Sequence, residues 1–416
     1  MPTKTAGKKP KTAVAKKPKT AHVLRYAHPF FTPTPPANRP QTPYGKRMVD
    51  WAKQDLGPIP TPRSGAIMRL AEIIGDPGTS EIAQTGEIRF HATGDTGNLH
   101  GQDAENVSQT MAADYDVNRS AQNPAFLLHL GDVIYGPHKD ASYRDEFYRP
   151  YKGYPGKIVA IPGNHDGEVF KPTDPKSLQS FLDNFCAKSA VVPPVAAAVR
   201  ILRETMTQPG VYWWLDAPFV DIVGLYTNYA EGPGFLEGGP AGKRDMQQIT
   251  WLAATLSAIA GKRKSGPKKA LMIATHHPPF SSGGDHGGSP ALLAEIDQAC
   301  NKAGICPDAV LSGHSHNYQR YTRTVAGMTI PYIVAGMGGH GVTAMRTTTS
   351  GNAIRTPMTM DNTLTLASYD DTHYGYMRVI VNATTLRMEF HPAEDGGTTK
   401  TPDDAFTLNL KTRAIT

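Results

Sequence analysis

The sequence predicts an α/β fold, a four-layered α/β/β/α sandwich with mixed sheets, and three patterns carry that expectation. Apolar runs of strand length recur at residues 88–93, 125–130, 158–161, 270–275 and 309–312, and each leads into a turn rich in Gly, Asp, Asn or His. Helical periodicity lies between them, at 178–185, 246–259 and 290–302. Alternating strands and helices build sheets whose ligands gather at the carboxyl ends of the strands. Residues 376–381 and 386–391 alternate in polarity around a turn at Asn382-Ala383, which predicts an antiparallel hairpin closing the second sheet.

The bulk composition fits a soluble, loop-rich globular protein: of 416 residues 39% are hydrophobic and 19% charged, with 40 Gly and 35 Pro. The formal charge of +6 does not describe the body of the chain. Residues 1–20 carry seven lysines and no acid, so +6 minus seven leaves about −1 for everything else. The three cysteines, Cys186, Cys300 and Cys306, are too few for a disulfide framework and read as reduced thiols. No apolar run approaches the roughly 20 residues of a membrane span, and the N-terminus lacks the apolar core of a secretory signal. A cytoplasmic location is the expectation.

Three segments follow. Residues 1–21 repeat a Lys-Lys-Pro-Lys-Thr-Ala unit that cannot bury a core, and read as a disordered tail. Residues 22–86 are Pro-rich, with helix-like stretches near 46–54 and 66–74, and read as an extension packing on the core. Residues 87–416 read as a third segment, expected to be the catalytic domain.

The chemistry sits in five turns: Gly94-Asp95-Thr96-Gly97, Gly131-Asp132-Val133-Ile134-Tyr135, Gly163-Asn164-His165-Asp166, His276-His277-Pro278-Pro279 and Gly313-His314-Ser315-His316. A pair of neighbouring cations needs a shared carboxylate, hard oxygen donors for the more charged ion and neutral imidazoles for the divalent one. The series supplies all three. Glycine ahead of a ligand lets the backbone turn sharply and bring the side chain inward.

In these residues the chain resembles the calcineurin-like metallophosphoesterases, and two details resemble the purple acid phosphatases in particular. Gly97 stands where the wider superfamily has the histidine of Asp-x-His, and Tyr135 stands in a Gly-Asp-x-x-Tyr motif that supplies a tyrosinate instead. The last turn continues as His316-Asn317-Tyr318-Gln319-Arg320, close to the family's Gly-His-x-His-x-Tyr-x-Arg. The resemblance implies that Asp95, Tyr135 and His316 hold one metal, that Asn164, His276 and His314 hold a second, and that Asp132 bridges them. It further implies Fe(III) in the tyrosinate site and Fe(II), Zn(II) or Mn(II) in the other. His165 and His286 are implied as catalytic residues facing the phosphate, with Asp166 expected to orient the His165 ring.

The implied reaction is hydrolysis of a small phosphorylated substrate by a metal-bound hydroxide, with an acid to near-neutral optimum. Phosphomonoesters are favoured, and a phosphodiesterase acting on cyclic nucleotides or phospholipid head groups is the alternative. Loops 167–210 and 232–244 would decide between them. Purple acid phosphatases are usually exported and their larger members carry a β-sandwich of about 100 residues, for which residues 22–86 are too few. Of the other histidines, the His-x-Pro spacing favours His276 over His277 as the ligand. His91 and His129 read as core residues, His138 as a candidate pocket residue, and His340 as part of a tight turn near the cleft rim. Trp213, Trp214 and Trp251 read as core.

The lysine tail reads as a solvated arm or, in another functional class, as a polyanion-binding module with sequence-independent, salt-sensitive affinity. Deletion of residues 1–21 separates the two. An inert arm predicts unchanged nucleic-acid retention and turnover, whereas an anchor predicts lost retention with turnover unchanged.

Overall fold

The computed structural model describes residues 59–98, 101–136, 140–168, 175–227, 234–236, 245–284, 286–348, 351–393 and 401–416. The lysine tail, the helix expected near 46–54, and His138 lie outside the described residues. In chain order the strands are β1 (Ile67–Arg69), β2 (Glu87–Thr93), β3 (Phe126–His129), β4 (Lys157–Ala160), β5 (Trp213–Ala217), β6 (Val220–Gly224), β7 (Ala270–Thr275), β8 (Ala309–Ser312), β9 (Tyr318–Val325), β10 (Met328–Ala335), β11 (Met358–Thr359), β12 (Leu364–Asp370), β13 (Gly375–Asn382), β14 (Thr385–Pro392) and β15 (Asp404–Asn409).

They form two mixed sheets, ordered β1-β5-β6-β7-β8-β10-β9-β12-β11 and β15-β14-β13-β2-β3-β4. In the first, β6, β7, β8 and β10 run parallel. In the second, β2, β3 and β4 run parallel, with the β13–β14 hairpin antiparallel beside β2. All five strands that the sequence marks as feeding functional turns therefore lie in parallel segments. Their carboxyl ends carry the turns.

Side chains alternate across each strand, and this sorts the core into layers. Ile88, Phe90, Leu128 and Val159 of the smaller sheet meet Ile222, Met272 and Leu311 of the larger one between the sheets. The opposite faces are covered by helices. Val223, Leu271, Ile273 and Val310 pack under the helices Gln247–Ser265 and Pro290–Ala303, while Leu127, Ile158 and Ala160 pack under Gln102–Ala112, Gln179–Phe185 and the π-helical segment Tyr143–Tyr148. The result is the four-layered sandwich. Local signals mark the helix Pro290–Ala303: the Ser289 side chain accepts from the Leu292 N–H, Pro290 opens it, and Gly304 ends it at φ 63°.

One expectation is corrected. Residues 66–74 were expected to be helical, but Ile67–Arg69 pairs parallel with β5 as an edge strand, and the following helical segment Ala71–Thr85 is broken at Gly75. Short apolar runs satisfy either period, and here an open sheet edge decides in favour of the strand. No helix among the described residues is long and apolar enough to cross a membrane. Cys186, Cys300 and Cys306 are free.

The Tyr318/Arg320 pair ties the two sheets together. Arg320 makes a two-pronged bond to Asp404 at 2.7 and 3.0 Å, the Tyr318 hydroxyl donates to the same carboxylate at 2.7 Å, and the Tyr318 ring stacks on Phe390. Since β9 and β15 belong to different sheets, this is an inter-sheet clamp. Asp404→Ala would leave a largely buried guanidinium unpaired. Denaturant unfolding should show a loss of about 3 kcal/mol, and a loss below about 1 kcal/mol, as for an exposed pair, would contradict the clamp.

Candidate metal centre

Three of the five turns place a site residue in the left-handed backbone region: Asp95 at φ 57°, Asp132 at φ 52° and His314 at φ 69°. Such conformations cost of order 1–3 kcal/mol each and persist where the surrounding fold enforces them. The glycines contribute mainly by lacking a side chain. A Cβ on Gly131 would meet the Gly163 N and His276 Nδ1 at 2.7 Å, and one on Gly163 would collide with the Asp132 carboxylate. Only Gly131 also needs its own positive φ, 96°, among the glycines directly preceding these residues.

The convergence brings two donor groups side by side. In the first, the Tyr135 hydroxyl lies 3.2 Å from Asp95 Oδ1 and 3.0 Å from His316 Nε2, and His316 Nε2 lies 3.5 Å from the same Asp95 oxygen. In the second, Asn164 Oδ1 lies 3.0 Å from His276 Nε2 and 2.9 Å from His314 Nδ1. Asp132 Oδ2 is 3.3 Å from His276 Nε2, and the Asp132 charge also acts on the Tyr135 phenol, so this carboxylate lies between the two groups. His276 Nε2 is 4.0 Å from Asp95 Oδ1, which makes the groups immediate neighbours.

Backbone N–H groups aim both carboxylates. Asp132 Oδ1 accepts from the His165 N–H at 2.8 Å, and Asp95 Oδ2 accepts from the His314 N–H at 2.8 Å. One oxygen of each is thereby anchored and the other presented. Asp166 ties the second and third turns together, accepting from Gly163 N at 2.9 Å and Val133 N at 3.1 Å. Burial, then the nearby Asp132 charge, raises its carboxyl to about 7.

The donor set fits cations. His276 Nδ1 faces the Leu130 carbonyl at 2.9 Å, so that nitrogen carries a proton, and Nε2 is turned toward three other atoms with lone pairs, Asn164 Oδ1, Asp132 Oδ2 and His314 Nδ1. Lone pairs that converge this closely require positive charge among them. The electrostatics agree: burial lowers His276, but Asp132 and then Asp95 outweigh it and raise the imidazole to about 9. For Asp132, burial opposes the charge, yet His276 and His165 hold its carboxyl far below the ordinary range. Burial, followed by the Asp95 and Asp132 charges, pushes the Tyr135 phenol well above its usual value. Asp132, His276 and His314 place ligand atoms within 4.8 Å of one another, as metal ligands do.

His165 and His286 flank these groups at partly exposed positions. The His165 ring sits 4.3 Å from Tyr135, and the His286 ring sits 4.3 Å from His314 and 5.6 Å from His316. The orienting carboxylate is not Asp166, whose oxygens are taken by backbone N–H groups. Glu168, nearly buried, bonds His165 Nδ1 at 2.9 Å. His277 bonds Thr227 Oγ1 at 2.9 Å and packs against His314, behind the donors.

Sequence reasoning missed two supporting residues, Glu168 and Glu146, and gave a third, His340, only a place in a turn near the cleft rim. Glu168 offered only its spacing of three from His165. Glu146, fully buried in the π-helical segment, accepts from the N–H groups of Tyr135 and Gly136 at 2.7 and 3.1 Å. His340 lies flat on Tyr135. By contrast His91 and His129 are core residues as read, bonded to Tyr154 and Asp114 and to Thr96 respectively. Trp213 and Trp214 are buried, and Trp251 is partly so.

Residues 330–400 match the family described as iron/zinc purple acid phosphatase-like protein C. Among solved structures, GAP50, the anchor in the inner membrane complex of Plasmodium, is similar with a TM-score of 0.51 at 12% identity, over 78% of this chain and 90% of that one. PhoD aligns at 0.48 and 14% identity over 80% and 71% of the two chains, and a dimetal phosphatase from Danio rerio at 0.42 and 12% over 77% and 98%. At these identities the first likeness speaks to the fold alone. No curated protein sequence matches the chain. Residues 88–318, more than half of the 416 and inclusive of all five turns, match the calcineurin-like phosphoesterase family, and the chain belongs to it as a phosphoesterase.

Proposed function

We propose that the protein hydrolyses phosphate esters, phosphomonoesters in preference, at a dinuclear centre of purple acid phosphatase type. The observation that carries the reading is the adjacency of the two donor groups around Asp132: His276 Nε2 lies 3.3 Å from Asp132 Oδ2 and 4.0 Å from Asp95 Oδ1, the oxygen that Tyr135 contacts at 3.2 Å. Asp95, Tyr135 and His316 would hold the first cation, Asn164, His276 and His314 the second, and Asp132 both. A phenol oxygen in the first group favours Fe(III), and the imidazole-rich second group suits Fe(II), Zn(II) or Mn(II). When bound, such a pair supplies Lewis acidity toward the ester oxygens and acidifies a water into a nucleophile at mild pH.

The chain's own residues supply the rest. Glu168 accepts a hydrogen bond from the His165 Nδ1–H and thereby leaves Nε2 as the nitrogen that exchanges a proton with substrate. A carboxylate in that place also stabilises the imidazolium form, which suits His165 to protonating a departing alkoxide. His286, beside the second group, is placed to stabilise charge on the phosphoryl oxygens. The residues that would separate monoester from diester substrates fall in loops 167–210 and 232–244, of which 169–174, 232–233 and 237–244 lie outside the described residues.

The test compares an aryl phosphate monoester with its bis-aryl diester across pH, together with metal analysis. The expected outcome is faster monoester turnover, an acid to near-neutral optimum and two ions per chain. An optimum above about pH 9 contradicts the acid role assigned to the imidazoles. Asp132→Asn should lower kcat/KM by more than about 100-fold, beyond the 10–100-fold typical of residues one step from a metal, and should lower the ion content. Glu168→Gln should fall within that 10–100-fold range with both ions retained. Full activity in Glu168→Gln would remove Glu168 from the account.

A further inference from the structure

His340, in the loop after β10, touches every member of the first donor group. Its backbone N–H donates to the Asp95 carbonyl at 2.9 Å, and its Nδ1 donates to the Gly97 carbonyl at 2.5 Å. Its ring lies on the Tyr135 ring with centroids 3.3 Å apart and planes 8° from parallel, and it meets His316 edge-on at 5.2 Å. The loop itself has little room to move: a Cβ on Gly339 would meet the Ala104 N, Cα and Cβ at 2.6–2.7 Å.

The contact depends on Gly97. A Cβ there would fall 2.7 Å from Ile134 Cα, 2.8 Å from Tyr135 Cδ2 and 2.9 Å from Glu146 Oε2. A side chain at position 97 and a tyrosine ring at 135 therefore exclude one another. With Gly97 in place, the Tyr135 ring is held in position by Glu146 on its backbone, Asp95 and His316 at its hydroxyl, and the His340 ring lying parallel to its own. A parallel ring in van der Waals contact resists tilting about χ2, the one freedom that the bonds at the hydroxyl leave loosely restrained.

We propose that His340 is a positioning residue that sets the Tyr135 phenol against Asp95, acting through the flat contact of its ring rather than through its hydrogen bond to Gly97. The inference rests on the reading of Tyr135 as a cation ligand. It predicts that the shape of residue 340 governs how the phenol oxygen meets the first ion. The Nδ1 bond serves only to hold the imidazole in plane.

Two substitutions separate ring from hydrogen bond. His340→Phe keeps a flat ring and loses the donor, whereas His340→Gln keeps a donor and loses the ring. Each is compared with the unaltered protein and with Tyr135→Phe after loading with Fe(III) and Zn(II), reading the visible tyrosinate-to-iron absorption band, the affinity for Fe(III) and the melting temperature. The expected result is a band close to that of the unaltered protein in His340→Phe. In His340→Gln the band should be shifted or weakened, with Fe(III) affinity lowered about 10- to 100-fold. An unchanged band and affinity in His340→Gln overturns the inference while leaving Tyr135 as a ligand, provided Tyr135→Phe abolishes the band. The reverse pattern, with His340→Gln normal and His340→Phe impaired, also overturns it and makes the residue a loop anchor. A band that survives Tyr135→Phe removes the ligand reading, and this inference with it.

Discussion

Two carboxylates almost wholly removed from water, Asp95 and Asp132, face the same small volume as the imidazoles of His276, His314 and His316. Burying anions in proximity is costly unless positive charge lies among them, and no Lys or Arg contacts either one among the described residues. The raised His276 and depressed Asp132 express that demand in protons, and cations answer it at greater strength. Much of the surrounding structure is arranged to keep this volume small and its donors aimed.

The architecture meets that demand through the ends of two sheets. β2, β3 and β4 deliver Asp95, Asp132, Tyr135 and Asn164 from one sheet, while β7 and β8 deliver His276, His314 and His316 from the other. Neither sheet holds a complete donor group. The Tyr318/Arg320/Asp404 clamp and the shared apolar core hold the two sheets together, so packing outside the donor groups sets the geometry within them. Left-handed backbone at Asp95, Asp132 and His314 is the local cost of this convergence, offset by the fold as a whole.

What was legible in the sequence was whatever repeated or alternated. Five apolar runs with charged or histidine-bearing turns announced the parallel strands and their donors, and the alternation around Asn382-Ala383 announced the hairpin. The pairing of Gly97 with Tyr135 was visible as a pattern, and its steric cause became visible only in the fold, where a Cβ at 97 meets the Tyr135 ring. Edge strand β1 was misread because three residues carry too little periodicity to outweigh a neighbouring helix signal. Glu146, Glu168 and the ring contact of His340 were illegible for another reason: these roles come from contacts with Tyr135 and His165 that no local spacing encodes. Asp166 was assigned to His165 by adjacency, yet the turn points its carboxylate back at Gly163 and Val133.

The account turns on whether two ions share Asp132. Anomalous diffraction from crystals of the metal-loaded protein tests this most directly. Two peaks about 3.5–4 Å apart, with the Asp132 carboxylate between them and Tyr135 on one ion only, are the predicted result. A single peak, or two peaks too far apart for one carboxylate to span, would contradict it.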